Sequence, residues 1–160
     1  MIDRITSESC ALLIILATGA LLFAAQIMEH QFDMAPCPLC LMQRIWFFFA
    51  GFIAYVGLIH KPRWGIYPLL TMLASFVGGG FAIRQLWLQS LPADQVPACG
   101  PGLEYLLEVL PLTEVLKAMT SGTGDCAEVA WSFGLTIPGW ALVGFIGIAV
   151  AAVLQWRAKS

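Results

Sequence analysis

The stretch APCPLCLMQRIWFFFAGFIAYVGLI, residues 35–59, begins with two closely spaced cysteines and continues as a nearly unbroken apolar run. The run from Leu41 to Ile59 is long enough to cross about 30 Å of hydrocarbon as a helix that rises about 1.5 Å per residue. Its one charged residue is Arg44, four positions after Cys40. The stretch therefore predicts a membrane-spanning helix with a thiol pair and a permanent cation at its N-terminal end.

The rest of the chain has the same apolar character. Of its 160 residues, 59% are hydrophobic and 11% are charged, whereas about a quarter of the residues in an ordinary soluble domain are charged. Three further stretches, at about 10–28, 67–88 and 138–156, can also span a bilayer, and each must be helical because an unpaired backbone in lipid is too costly. We therefore predict an all-α membrane protein, a four-transmembrane-helix antiparallel bundle that forms a single domain over residues 1–160.

Lysine and arginine are distributed unequally between the two sides that this topology creates. Five of them fall at the termini and in the loop between the second and third spans: Arg4, Lys61, Arg63, Arg157 and Lys159. The other two loops, at about 29–40 and 89–137, carry only Lys117. The positive-inside rule therefore places both termini in the cytoplasm and these two loops on the outer side. A cleaved signal peptide is the alternative for the first span, but its apolar run is long for one and no clear cleavage site follows.

The loop at 89–137 is far longer than a helical hairpin needs, which indicates a function. Within it, PGLEYLLEVL at 101–110 places four leucines at helical spacing against two glutamates. This pattern predicts a short helix that lies on the outer membrane surface. Pro111 interrupts the pattern, and LTEVLKAM at 112–119 is compatible with its continuation. The flanking LPADQVPACGPG and SGTGD are rich in turn residues, so we expect them to be mobile.

Four of the five cysteines lie in the two outward loops: Cys37, Cys40, Cys99 and Cys126. In an oxidising compartment, such an even set indicates two disulfides. We predict no metal site, because zinc would need two close pairs and 26 residues separate Cys99 from Cys126. Cys10, at the inner end of the first span, is expected to be a small buried hydrophobe.

Structural and redox roles are both open for these disulfides. Secreted loops are often stapled by structural bridges. A bridge between Cys37 and Cys40, however, closes so small a loop that its entropic gain is minor, which favours redox chemistry at this pair.

Cysteine reactivity depends on the thiolate, which is favoured at helix N-termini and beside cations. Cys40 is expected to precede the second span directly and to face the positive end of its helix dipole, with Arg44 on the same helical face. We interpret Arg44 as support for a Cys40 thiolate, with snorkelling to the lipid headgroups as its alternative role. Arg84 in the third span has the same two possible roles, a functional one and snorkelling, and less in the sequence supports the functional one. The neighbouring Gln85 can donate a hydrogen bond to a carbonyl.

A disulfide that is made for other proteins must be regenerated by an electron acceptor. No GxGxxG motif follows a strand pattern, which argues against a flavin or a bound nucleotide. His30 and His60 lie at opposite membrane faces, so they are not paired ligands of one haem. We therefore predict a quinone dissolved in the bilayer, at the place where Cys40, Arg44 and Trp46 converge. No nucleic-acid partner is expected.

Taken together, these features resemble the DsbB family of bacterial inner-membrane proteins, over nearly the whole chain. The resemblance rests on the four spans, on CPLCLMQR at 37–44, on a lone Cys99 and on GDCAEVAWSFGLTIPGW at 124–140. It implies a protein-dithiol:quinone oxidoreductase that binds ubiquinone or menaquinone non-covalently and oxidises a periplasmic DsbA-like thiol oxidase. It also implies that the cysteine-bearing loops face the periplasm.

The resemblance implies a role for each outward cysteine. Cys99 and Cys126 would form a shuttle disulfide in which the partner attacks Cys99. Cys126, released as a thiolate, would attack Cys37 and free Cys40 to pass electrons to the quinone through a charge-transfer contact. Arg44 matches the arginine that supports the quinone and the thiolate.

Gln85 marks a departure from the family, because many relatives carry a histidine there. Gln85 is predicted to contact the quinone, together with Arg44 and Trp46, but a glutamine cannot supply a proton near neutral pH. Two other interpretations stay open: a non-enzymatic membrane scaffold with two structural disulfides, and a specialised paralogue that serves one dedicated partner.

Overall fold

The computed structural model describes residues 6–32, 36–60, 65–92, 94–99, 108, 111–129 and 132–159. Its helices include α1 (Ser7–Phe32), α2 (Pro38–His60), α3 (Ile66–Gln89), α4 (Leu112–Ser121) and α5 (Ile137–Lys159). All of these except α4 are long and apolar enough to cross a membrane. The predicted four-helix membrane bundle is therefore confirmed.

The four spanning helices form a closed ring. α1 packs against α2 and α5, and α3 packs against the same two helices. The connections from α1 to α2 and from α2 to α3 are short, which makes these neighbouring helices antiparallel. The connection between α3 and α5 contacts α2, α3 and α5 at one end of the ring.

The second span starts earlier than the apolar run suggests. α2 begins at Pro38, so Cys40 lies inside its first turn. The sequence had predicted that Cys40 precedes the helix. Proline suits the first helical position because its missing N–H would have no intrahelical partner and its φ is already helical. The start of α2 is therefore set by Pro38, three residues before the apolar run.

The centre of the ring is packed by aromatic and small side chains. The rings of Phe47 on α2 and Phe145 on α5 stack with their centroids 3.8 Å apart and an interplanar angle of 3°. A methyl group on Gly78 of α3 would overlap the Phe145 ring. The absence of a side chain at Gly78 therefore allows α3 and α5 to approach closely.

The connection between α3 and α5 is folded over the end of the ring at which α3 ends and α5 begins. It contains α4, a 3₁₀ turn at Gly124–Ala127 and a two-residue antiparallel pair between β1 (Ser132–Phe133) and β2 (Leu135–Thr136). Most of the surface helix predicted at 101–110 lies outside the described residues. α4 takes up the continuation after Pro111, with Val115 buried and Leu116 half exposed.

Candidate functional site

Cys37 forms the N-terminal cap of α2. Its carbonyl accepts the backbone N–H of Leu41 at 3.1 Å, and its Sγ accepts the backbone N–H of Cys40 at 3.4 Å. This is the geometry of a capping side chain, which satisfies an N–H that has no partner within the helix. The positive end of the helix dipole therefore acts most directly on Cys37 and not, as the sequence suggested, on Cys40.

The two sulfurs at the start of α2 lie side by side. Cys37 Sγ and Cys40 Sγ lie 2.9 Å apart, within hydrogen-bond distance, and all five cysteines are free thiols in the structure. A disulfide bond of about 2.05 Å could be closed here by a small movement. Cys10 is buried at 6% exposure in α1, consistent with the hydrophobic role predicted for it.

A third sulfur comes from the connection between α3 and α5. Cys126 lies in the 3₁₀ turn, is 0% exposed and packs with Leu39, Leu88 and Cys37. A hydrogen bond from the Cys37 thiol lowers the pKa of Cys126 to about 6. The same bond, together with the Cys40 contact and burial, raises the pKa of Cys37. In this pair the proton therefore lies on Cys37 and the negative charge on Cys126.

The turn reaches the sulfurs because Gly122 fits where a side chain would not. Its φ is +81°, a left-handed conformation that favours glycine. A Cβ there would lie 2.7 Å from Cδ1 of Leu39 and 2.8 Å from Cδ1 of Leu88. The SGTGD stretch therefore packs closely against α2 and α3 at Gly122. Its turn residues predict a mobile segment and do not reveal this packing.

Gly124 holds the segment that carries Cys99 against the same turn. Its backbone N–H donates to the Ala98 carbonyl at 3.2 Å, and a Cβ would overlap the Pro97 carbonyl. Cys99 itself is exposed. The structure therefore places Cys99 on the outer surface of the turn that buries Cys126.

Asp125 is the polar neighbour of Cys99. A hydrogen bond to the Asp125 carboxylate, and then its negative charge, raise the pKa of the Cys99 thiol. The Thr123 hydroxyl donates to the same carboxylate at 3.3 Å. The two cysteines of the long connection are thus opposite in acidity, since Cys99 is held as a thiol and Cys126 favours the thiolate.

A pair of buried amides contacts the sulfurs of α2 from the side. Gln85 Nε2 donates to Cys40 Sγ at 3.2 Å and to Cys37 Sγ at 3.3 Å. Gln43 Nε2 donates to Gln85 Oε1 at 2.7 Å, and the exposure of the two glutamines is 4% and 3%. Gln85 was predicted as a quinone contact, whereas Gln43 was missed. The available signal was a polar residue one helical turn after Cys40 in an otherwise apolar span.

Arg44 turns away from the sulfurs, towards α1. Its guanidinium forms an ion pair with Glu29 and donates to the Ala25 carbonyl at 3.2 Å. The polar contacts of the Cys40 side chain come instead from Cys37 and Gln85. The sequence spacing placed Arg44 near Cys40 along the helix, but it did not reveal Glu29 as the partner of Arg44.

Trp46 and Arg44 do not share a face of α2. Two helical positions correspond to a rotation of about 200°. Trp46 packs beside Gly78 of α3 and lies 5.9 Å from Phe49 between ring centroids. Arg84 is likewise engaged elsewhere, because its Nε donates to the Ser121 carbonyl and its guanidinium stacks 4.5 Å from the Trp87 ring centroid.

An apolar groove of about 230 Å³ lies between α1 and α2. Its lining includes Leu22 of α1 and Phe48, Phe52 and Tyr55 of α2. Phe48 follows Arg44 by one helical turn, so the groove continues inward from the ion pair on the same face of α2. Its lining is apolar and suits an apolar ligand.

Four spans that gather three sulfurs at one end define a multi-pass membrane protein with a site for thiol–disulfide exchange. The family profile described as disulfide bond formation protein DsbB matches residues 7–155. The chain therefore belongs to the DsbB family. Membership indicates a role in disulfide bond formation, an oxidoreductase activity, in a bacterial membrane.

Individual relatives agree with this assignment. The chain is 47% identical over 156 residues to disulfide bond formation protein B of Hahella chejuensis. The aligned region covers 95% of this chain and 94% of the relative. It is 53% identical over 137 residues to the protein of the same name from Marinobacter nauticus, with coverage of 83% and 82%. No solved structure gives a significant match.

Proposed function

We propose that this protein is a quinone-dependent oxidase of a periplasmic dithiol protein resembling DsbA. The contact between Cys126 and Cys37, which joins sulfurs from two separate loops, carries the proposal. In a scaffold with two structural bridges, Cys126 would need only Cys99 as its partner. A relay of disulfide exchange, in contrast, requires this third contact.

The first step takes place at the exposed sulfur. In the oxidised protein Cys99 and Cys126 form one disulfide, and Cys37 and Cys40 form the other. A thiolate of the partner attacks Cys99, a mixed disulfide forms, and Cys126 leaves with the electron pair. The Cys37 thiol, the largest cause of the low Cys126 pKa, is absent while Cys37 is bridged, but hydrogen bonds from the Leu39 and Thr123 backbone also lower this pKa. They support this direction, because a more acidic thiol is the better leaving group.

The second step moves the electron pair to the start of α2. The Cys126 thiolate attacks Cys37, so that a Cys37–Cys126 bond forms, the Cys37–Cys40 bond breaks and Cys40 leaves as a thiolate. Gln85 Nε2 is in place to donate to that sulfur. A helix N-terminus and a hydrogen-bond donor both stabilise thiolate, which favours the reduced pair.

Two further exchanges release the product. The second thiolate of the partner attacks its own mixed-disulfide sulfur, so that the partner leaves oxidised and Cys99 becomes a thiolate. Cys99 then attacks Cys126, restores the first disulfide and releases Cys37. The net change is the loss of two electrons and two protons by the partner and their gain by Cys37 and Cys40.

A quinone bound beside Cys40 would accept these two electrons and two protons and leave as a quinol. The apolar lining of the groove between α1 and α2 suits its isoprenoid tail, and Arg44 precedes the groove residue Phe48 by one helical turn. Trp46 is a weaker candidate for this site, because it packs against α3. Ubiquinone and menaquinone both meet these requirements.

The same proposal includes an orientation in the bacterial inner membrane. The charges of the termini and of the loop at 61–64 favour a cytoplasmic location for these segments. The three-sulfur cluster and Cys99 then face the periplasm, where disulfides persist.

Purified protein in lipid nanodiscs tests the proposal. With quinone present, we expect repeated oxidation of a reduced DsbA-like partner, and without it at most the few equivalents that the two stored disulfides hold. Arg44→His should raise the KM for quinone, since the outer end of the groove loses its guanidinium, while Arg84→His, whose side chain contacts Ser121 and Trp87, serves as the matched control. If thiol trapping shows both bridges intact when reduced partner is supplied and quinone is withheld, the protein is a scaffold.

A further inference from the structure

The side-chain amides of Gln43 and Gln85 are hydrogen-bonded in an orientation that turns the Gln85 nitrogen towards the sulfurs of Cys37 and Cys40. We propose that Gln43 is a positioning residue that fixes the orientation of the Gln85 amide, and thereby the preference of the Cys37–Cys40 pair for its reduced form. Only the consequence for electron transfer to quinone rests on the proposed function.

The Gln85 amide can present either of its ends to the sulfurs. In the structure its Nε2 lies 3.2 Å from Cys40 Sγ and its Oε1 lies 3.5 Å away, so both ends are within reach. A Cys40 thiol can donate to the carbonyl oxygen, whereas a Cys40 thiolate can only accept from the N–H group. An amide held with its nitrogen towards the sulfur therefore stabilises the thiolate over the thiol.

Gln43 supplies what that orientation needs. Gln85 is 3% exposed, so its carbonyl oxygen has little access to water. A buried acceptor without a donor is costly. The 2.7 Å bond from Gln43 Nε2 occupies this oxygen and is the shortest polar contact that the structure gives the Gln85 side chain. With Gln43 in place, the Gln85 nitrogen can face the sulfurs while its oxygen keeps a partner.

No charged group replaces this function at Cys40 in the described structure. The guanidinium of Arg44 is held by Glu29 and by the Ala25 carbonyl on α1. The side-chain donor directed at Cys40 from outside the CxxC pair is the neutral Gln85 amide. Its orientation should therefore be visible in the thiol–disulfide equilibrium of Cys37 and Cys40.

A redox titration of the full chain measures this effect without quinone or protein partner. The protein is equilibrated with dithiothreitol, and peptide mass analysis gives the fraction in which Cys37 and Cys40 are bridged. Gln43→Leu should lower the equilibrium constant for reduction about tenfold, as expected for the loss of one hydrogen bond to a charged group. Gln43→Glu should lower it at least as far, because a carboxylate accepts from the Gln85 nitrogen and turns it away from the sulfurs.

Two controls separate positioning from packing. Gln155→Leu makes the same change at a glutamine that is 4% exposed in α5, and it should leave the equilibrium constant unchanged. In a Gln85→Met background, Gln43→Leu should have no further effect, because its influence passes through the Gln85 amide. Thermal unfolding midpoints of all variants show whether the fold is retained, and the Gln85→Met pair remains informative if Gln43→Glu does not fold.

The proposal is overturned if Gln43→Leu has no effect in the native background, or if it has the same effect with and without Gln85. Because no quinone enters this titration, a failure to reduce quinone in nanodiscs would refute the proposed function and leave this result standing. Conversely, if Gln43→Leu does not change the equilibrium constant, that result does not contradict the proposed reduction of quinone.

Discussion

Cys99 and Cys126, the two cysteines of the connection between α3 and α5, differ in acidity in opposite directions from an ordinary thiol. The Asp125 carboxylate raises the pKa of Cys99, and the Cys37 thiol lowers the pKa of Cys126 to about 6. In the proposed first exchange Cys37 is bridged and has no thiol proton, so the direction rests on the Asp125 carboxylate, which disfavours a thiolate at Cys99 and makes Cys126 the better leaving group. At the scale of single residues, Asp125 therefore gives the first exchange its direction.

Asp125→Asn should lower the pKa of Cys99, because the substitution removes the negative charge and the strong acceptor that hold the proton on its sulfur. In reduced protein, the pH profile for alkylation of Cys99 should move to lower pH, and the rate near neutral pH should rise. Mass spectrometry of iodoacetamide labelling over a pH series measures this. Glu114→Gln, in the exposed first turn of α4, is the control. An unchanged profile in Asp125→Asn would remove the proposed role of the carboxylate.

The sequence predicted which residue types belong to the site better than it predicted their contacts. Cys37 and Cys40 were recognisable from their spacing, and the involvement of Cys126 followed from the family resemblance. Arg44 was placed near Cys40 because helical spacing is local, but its partner Glu29 lies on another helix. Gln43 was missed because its role depends on Gln85, whose position across the bundle no local pattern reveals.

At the scale of elements, the contact between α3 and α5 depends on Gly78. Gly78→Ala should lower stability by about 1–3 kcal/mol, the usual cost of overpacking, because the new methyl group overlaps the Phe145 ring. Gly80→Ala is the matched control two positions away, since nothing lies within 4 Å of a Cβ there. Removing that glycine should be neutral or stabilise the helix by up to about 1 kcal/mol.

Thermal unfolding of the two variants in the same detergent compares these effects. The expected order of midpoints is Gly78→Ala below the native protein, and Gly80→Ala equal to it or above. Equal midpoints for the two variants would show that the packing of α3 on α5 tolerates the methyl group, and the contact would then contribute little to holding the ring closed.

The elements differ in how far the sequence determines them. The four spans were predictable because length and apolarity alone force a helix in lipid. The start of α2 was misjudged because the apolar run was taken as the helix, although Pro38 is a clear signal for a first helical position. The packing of SGTGD was not predicted, because a glycine such as Gly122 indicates flexibility when only the local sequence is considered. Its contacts come from Leu39 and Leu88, which lie on helices distant in the sequence.

At the scale of the whole molecule, the charge distribution predicts which cysteines can be reached from outside the cell membrane. In cells with a permeabilised outer membrane, a membrane-impermeant maleimide should label Cys99 of the reduced protein, because this residue is exposed. Cys10, at 6% exposure in α1, should stay unlabelled. Ser160→Cys in a Cys99→Ser background should react only after the inner membrane is lysed. Labelling of Ser160→Cys in unlysed cells would reverse the proposed orientation.

The burial of Cys126 under Leu39 and Leu88 also determines which sulfur of the long connection a reductant in water can attack. A small thiol such as glutathione, arriving from water, can collide with Cys99 but cannot reach a sulfur that is 0% exposed. In the proposed mechanism a monothiol that attacks Cys99 stays bound to it as a mixed disulfide until a second thiol arrives, whereas a dithiol brings its second thiolate beside that bond. The protein would thus prefer a dithiol to a monothiol as its reductant, and this selectivity requires no binding pocket for the reductant.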